Sequence, residues 1–245
     1  MVSGLKKHQK RISKVKQFMI EKQNGIFATK TYSGHRSSRF CIPLFYFLKK
    51  FIRYCSSIKE AKKILKTGCV FVNNRICYNY AYPIGIWDYI SLPIINKFLR
   101  VFLDKDGTLK LYPIKSFEKK IKILRVRKIY IGKNNRKIIV FDDQKFYIET
   151  SNLGIKVYDS LVIRNRDLRI LHILDSRIGN ICMILDGNLK GKIGLIIKVI
   201  KRFSQHTIVH ILLFSGLKVV KNTSQIFIIG ENKRPFISLK GYFAR

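Results

Sequence analysis

The sequence predicts an α+β protein of several small modules, and three observations carry that reading. Helical periodicity is confined to a stretch between Leu44 and Lys66. From Leu99 onward, short β-branched and aromatic runs alternate with turns. Near the end, Gly187, Gly191 and Gly194 punctuate a pair of apolar runs. The expected order is a basic N-terminal arm over residues 1–41 and a small helical and hairpin unit over 42–104. A central β-barrel-like domain follows over 105–174, then a small C-terminal β-barrel with its tail over 175–245.

Composition bounds what such a chain can do. Its 245 residues are 47 % hydrophobic, enough for real cores and too many for a disordered basic tail. Lys and Arg number 49 against 14 Asp and Glu, a formal charge of +35. An unpartnered protein gains nothing from that imbalance and loses stability to self-repulsion, so a polyanion is expected: nucleic acid first, an anionic membrane surface second. The most apolar run, Ile193 to Leu217, is interrupted by Lys198, Lys201, Arg202, His206 and His210. No stretch approaches the ~18 uninterrupted apolar residues of a spanning helix, and no apolar leader is visible, so a soluble chain is expected. The five cysteines, Cys41, Cys55, Cys69, Cys77 and Cys182, contain no C-x-x-C pair. Reduced thiols acting as small core hydrophobes are expected, with no zinc site.

The arm carries Lys6, Lys7, His8, Lys10, Arg11, Lys14 and Lys16, then Arg36 and Arg39, with Phe18, Ile26-Phe27 and Tyr32 as scattered apolar anchors. An extended segment of this kind suits irregular RNA. Guanidinium groups and rings stack on bases while ammonium groups meet phosphates. A disordered tail or a nuclear localisation signal would look similar, and both are compatible with an arm that orders on RNA.

The helical unit opens at Pro43, expected as the first helical residue. Leu44, Phe47, Leu48, Phe51 and Cys55 fall on one helical face and Lys49, Lys50 and Arg53 on the other. Ser57 with Glu60 three residues on is a capping-box signature for a second helix. Its apolar stripe is Ala61, Ile64 and Leu65; its basic stripe is Lys59, Lys62, Lys63 and Lys66. A solvated face is the ordinary fate of such a stripe, and the charge of the whole chain argues for a partner instead. Gly68 is placed to end the helix at positive φ. Val70 to Val72, Asn73-Asn74 and Arg75 to Cys77 then read as a two-residue hairpin, since Asn tolerates left-handed dihedrals best after glycine.

Beyond Leu99 the expected strands are Arg100–Leu103, Thr108–Tyr112, Arg127–Ile131, Lys137–Phe141, Phe146–Ile148, Ser160–Ile163 and Ile170–Leu174, with a helical connector over Ser116–Lys122. In the last segment Asn180–Ile184 and Leu195–Ile197 flank the glycine run, with Lys190 and Lys192 inside it. Glycines there permit positive φ and close approach of backbone to phosphate, and the lysines supply charge.

Other motifs lead nowhere. Gly187 to Ile193 lacks the spacing and the Ser or Thr of a phosphate-binding loop. In Asp104-Lys105-Asp106-Gly107 the glycine comes too early for a calcium loop, so a hairpin turn is expected. His206 and His210 have no third ligand type near them, and no metal is expected. Adjacent strand residues such as Asp142-Asp143 point to opposite faces, which suits a turn or ion pairs rather than acid–base work. Trp87 is expected in the core.

Three resemblances follow from these residues. Ala61-Lys62-Lys63-Ile64-Leu65, Gly68, Val72-Asn73-Asn74, Tyr82-Pro83, Gly85 and Asp88-Tyr89-Ile90 resemble the S-four RNA-binding fold, with Asn-Asn for the usual Asn-Gly turn. The glycine run between strands is similar to a KOW element. The whole order resembles the eukaryotic and archaeal small-subunit (40S) ribosomal protein four family. That likeness is carried by Gly4, Lys6-Lys7-His8, Lys10-Arg11, Pro43-Leu44, Val126-Arg127-Lys128-Ile129, Asp143, Gly179-Asn180, Ile226-Phe227 and Ile237-Ser238-Leu239. Phe18 and Phe236 stand where that family has Trp, Gly34-His35 lacks the intervening proline, and the basic C-terminal helix of the family has no counterpart before Arg245.

The resemblance implies a structural, non-catalytic constituent of the small ribosomal subunit. Its partners would be the 5′ domain of small-subunit rRNA and neighbouring ribosomal proteins, with no cofactor, no membrane and no homo-oligomer. Localisation would be cytoplasmic, with nucleolar or nuclear passage during assembly. Candidate RNA-binding residues are the arm cations, Lys49, Lys50, Arg53, Lys59, Lys62, Lys63, Lys66, Arg75, Arg125, Arg127, Lys128, Lys190 and Lys192. Gly68, Asn73, Asn74, Gly187, Gly191 and Gly194 are expected to shape turns. An S-four-bearing RNA-modifying enzyme and a KOW-bearing elongation factor are the alternatives. The first would need a catalytic domain that the short β runs do not offer, and the second would need neither the arm nor the helical pair.

Overall fold

The computed structural model describes residues 9–12, 26–32, 41–132, 136–143, 146–149, 153–201 and 207–239. The chain divides into two compact units, Met1–Phe102 with Thr108–Tyr112, and Leu103–Gly107 with Pro113–Arg245. Strands dominate both.

In the first unit β1 (Gln9–Lys10) and β2 (Phe27–Ala28) form an antiparallel ribbon, so part of the arm is paired rather than merely extended. Next, β3 (Cys41–Pro43) leads into a single helical turn, α1 (Leu44–Tyr46), and a π-helical turn over Phe47–Ile52. The long regular helix expected from the periodicity is therefore replaced. Pro43 ends a strand and caps the helix instead of opening it, and the first helical N–H groups donate to the carbonyls of Tyr82 and Tyr80. Arg53 adopts φ 56° and stops the turn. Leu44, Phe47 and Leu48 are still buried as the stripe requires, and Phe51 is half-buried with its ring 5.7 Å from Phe47.

α2 (Ile58–Lys66) follows its sequence signals closely. The Ser57 hydroxyl accepts the Glu60 N–H, and the Glu60 carboxylate accepts the N–H and the hydroxyl of Ser56. Those bonds hold the Glu60 carboxyl below its ordinary value, the Ser56 N–H contributing most. Ala61 and Leu65 are fully buried, and Gly68 leaves the helix at φ 72°.

β4 (Phe71–Val72) and β5 (Arg75–Ile76) flank Asn73 and Asn74, both at positive φ as a type I′ turn demands. β6 (Pro83–Gly85) pairs with β3. β7 (Tyr89–Leu92), β8 (Lys97–Leu103) and β9 (Leu109–Pro113) extend the hairpin into a five-stranded sheet of order β5-β4-β7-β8-β9. Trp87 is buried edge-on to Phe102, as a core residue should be.

In the second unit the expected connector shrinks to a 3-10 turn at Glu118–Lys120, because strand pairing with Arg164 already starts at Ile121. β10 (Ile121–Ile131) anchors an open sheet with β11 (Lys137–Phe141), β12 (Phe146–Glu149), β13 (Ser160–Arg164) and β14 (Ile170–Leu174), in the order β12-β11-β10-β13-β14. Its first half pairs with β13 and its second half with β11. Leu124, Val126, Ile139, Phe141 and Leu161 form the core.

The last sheet comprises β15 (Ile181–Ile184), β16 (Ile193–Ile200), β17 (Ile208–Leu213), β18 (Lys218–Asn222), β19 (Ile226–Glu231) and β20 (Arg234–Pro235), in the order β18-β17-β16-β15-β19-β20. Both sheets have linear strand orders, so neither expected barrel is closed among the described residues. Short strands with turn signals fix pairing between neighbours; closure needs the first and last strands to meet, which local pattern cannot specify.

Candidate nucleic-acid interface

The basic stripe of α2 is built as its spacing dictates. Residues three and four apart share a helical face, so Lys59, Lys62, Lys63 and Lys66 emerge together, all exposed, opposite buried Ala61 and Leu65. The Lys62 amine lies 5.1 Å from the centre of the Tyr80 ring. Lys49 and Lys50 on the π-helical turn, Arg53 at its end and Arg75 after the hairpin turn are exposed in the same unit.

The hairpin is held by its own asparagine. Asn73 Nδ2 donates to the Asp88 carboxylate at 2.7 Å, and Asn73 Oδ1 accepts the Tyr89 N–H. Asp88, buried, also accepts the Gly85 N–H. Asparagine thus supplies both the left-handed backbone and two tertiary hydrogen bonds, which glycine would not.

In the arm, Lys10 is exposed, and the Arg11 guanidinium donates to the Phe27 carbonyl across the ribbon. Ile26, Phe27 and Tyr32 are exposed apolar groups beside these cations. Lys6, Lys7, His8, Lys14, Lys16, Arg36 and Arg39 lie outside the described residues.

The second unit separates its candidates. Arg127 and Lys128 are exposed on β10. Arg125, two residues earlier, is turned inward: its Nε donates to Asp142 at 2.7 Å, and one terminal nitrogen donates to the carbonyls of Ser224 and Ile226. It braces the fold from a largely buried position, unlike Arg127 and Lys128. Lys122 is buried in an ion pair with Asp143 at 3.1 Å. The expected ion-pair role of Asp142 and Asp143 is the one observed.

Lys190 and Lys192 are half-buried, and burial pushes the Lys190 amine below its ordinary value, opposed by Asp186. Gly187 and Gly191 take the positive φ expected of them; Gly194 does not. A Cβ on Gly191 would collide with the Asp104 carbonyl in the Asp104–Gly107 turn, and one on Gly194 with the Leu212 carbonyl across the sheet. At these two positions the close approach that glycine permits is to protein backbone, not to phosphate. Only Gly187 is left facing a cation, the Lys221 amine.

Sequence reasoning also missed Arg100, wholly buried on β8 opposite Tyr89. Its alternation with Leu99 and Val101 would place it on a polar face, so the sequence pattern carried no signal for its burial. Burial pushes the Tyr89 hydroxyl up to about 12, opposed by the Arg100 charge. No cluster of three His, Cys, Asp or Glu suited to a metal occurs among the described residues, and no described helix is long and apolar enough to cross a membrane.

Fold and surface together define a class: a basic protein of a helix–hairpin module and open β-sheets, with cations displayed on the helix and along one strand. Residues 95–170 match the family described as Ribosomal family S4e. The fold is similar to the crystal structure of the 30S ribosomal protein S4e from Thermoplasma acidophilum. The TM-score is 0.67 at 23 % identity, covering 80 % of this chain and 98 % of that one. The likeness to that family thus rests on the sequence of the middle segment and on the shared fold.

Proposed function

We propose that this protein is a structural constituent of the small ribosomal subunit that binds ribosomal RNA and takes no part in catalysis. The observation that carries the reading is the separation on α2, where four lysines are exposed opposite a buried apolar stripe, in a chain of formal charge +35. Lys49, Lys50, Arg53, Arg75, Lys10, Arg127 and Lys128 add exposed cations on neighbouring elements. The family match and the shared fold support the same assignment.

The deep groove of A-form RNA hides its base edges, so charge and shape supply the recognition. The 5′ domain of the small-subunit RNA, neighbouring ribosomal proteins as further partners, and nucleolar passage during assembly belong to this proposal. So does the division into arm, helix–hairpin unit, central sheet and KOW-like segment.

The test is RNA binding by the full chain across a salt series. Lys62→Glu, Lys63→Glu and Lys66→Glu together should weaken binding and flatten the slope of log affinity against log salt by about 0.7–0.9 per lost phosphate contact. An unchanged affinity and slope would show that α2 is not the RNA-facing element.

A further inference from the structure

Beside the basic face of α2 the first unit holds a cavity of about 480 Å³ whose lining is almost wholly apolar. Val70 and Leu92, both buried, lie deep in it, Ile64 is half-buried, and the exposed Ile94 and Tyr54 stand at its rim. The size falls within the roughly 300–1,000 Å³ of ordinary ligand pockets. Lys63 is the one charged residue among the described lining, and it also belongs to the exposed stripe of α2. Cavity and cationic face therefore share a side chain.

We infer that this cavity receives an unpaired nucleobase extruded from the RNA whose phosphates lie along α2. The inference rests on the RNA-facing role proposed for that helix. A nucleotide joins a flat apolar ring to an anion, and the site joins an apolar recess, with an aromatic ring at its rim, to an ammonium group. An apolar side chain of a neighbouring protein would suit the recess but not Lys63 in its lining, unless acidic residues flanked that side chain. Charge complementarity and continuity with the basic face favour RNA. The lining offers few polar atoms, and the Thr67 hydroxyl is already donated within the fold, so ring stacking rather than base-edge reading sets the contact. Weak base preference follows.

Photocrosslinking in assembled small subunits tests this, with benzoylphenylalanine placed in separate full-length chains at Tyr54, on the cavity rim, and at Lys62, on the exposed face of α2. RNA crosslinked from both positions is the expected result. RNA from position 62 with protein, or nothing, from position 54 overturns the nucleobase site and leaves the RNA face standing. Protein or nothing from both overturns both readings. A binding assay reports independently of assembly: Tyr54→Ala should bind a single-stranded decanucleotide about fivefold more weakly, with the salt slope unchanged. Equal binding of wild-type and Tyr54→Ala chains, or equal wild-type binding to the decanucleotide and to a fully abasic strand, would also overturn the inference.

Discussion

The two units use their cations in opposite ways. On α2, Lys59, Lys62, Lys63 and Lys66 all face solvent while Ala61 and Leu65 are buried. On β10 the run Lys122, Arg125, Arg127 and Lys128 splits: the first is buried against Asp143, the second is clamped by Asp142 and two carbonyls, and only the last two are exposed. In sequence both stretches interleave lysine or arginine with isoleucine and leucine. The helix sorts its residues by a period its own geometry enforces. On the strand, the sorting depends on carboxylates and carbonyls brought in from elsewhere. A cation count therefore overstates the surface offered to a polyanion.

The comparison breaks most sharply at Asp143. Asp143→Ala leaves the buried Lys122 amine without that carboxylate and should destabilise the chain by about 3–5 kcal/mol in urea unfolding, whereas Lys59→Ala should stay within about 0.5 kcal/mol. Equal effects would mean that the inward and outward cations do not differ.

Acid sharpens the same point. Burial raises the Asp159 carboxyl to about 6; the Lys156 N–H bond opposes this and Asp175 adds to it. The folded state thus favours protonated Asp159. That stability is present in full below about pH 4 and lost as pH rises to about 6. A rise of that size corresponds to about 3 kcal/mol. Unfolding measured from pH 4 to 7 should show this fall, and Asp159→Asn should flatten it.

Next in size is the pair Arg125→Ala and Arg127→Ala. The first should cost about 2 kcal/mol of stability and leave the salt slope of RNA binding unchanged. The second should reduce that slope by about 0.7–0.9 without affecting folding. Smallest is Lys62→Ala, which removes the amine from the Tyr80 ring and should cost about 0.5 kcal/mol in thermal unfolding.

Much of the first unit was legible in advance because its signals are local. Ser57 and Glu60 cap α2, Gly68 closes it, and Asn73-Asn74 makes a hairpin, each through atoms a few residues apart. The basic stripe was legible for the same reason. The π-helical turn after Tyr46 was not, since the buried spacing of Leu44, Phe47 and Leu48 fits a regular helix equally well. The glycine run was half legible. Positive φ at Gly187 and Gly191 came with the residue type, but the neighbour that forces glycine at position 191 is the Asp104 carbonyl, remote in the chain. Barrel closure was expected where, among the described residues, the sheets are open, because strand pattern specifies neighbours and not ends.

By itself the sequence determined the charge, the amphipathic second helix and the turns, all matters of composition or of contacts within one or two helical turns. Only the tertiary structure decided which cations remain for a partner. Asp143 reaches Lys122 across 21 residues and Ser224 reaches Arg125 across 99. Contacts formed over such separations depend on the path of the whole chain, which no local spacing encodes.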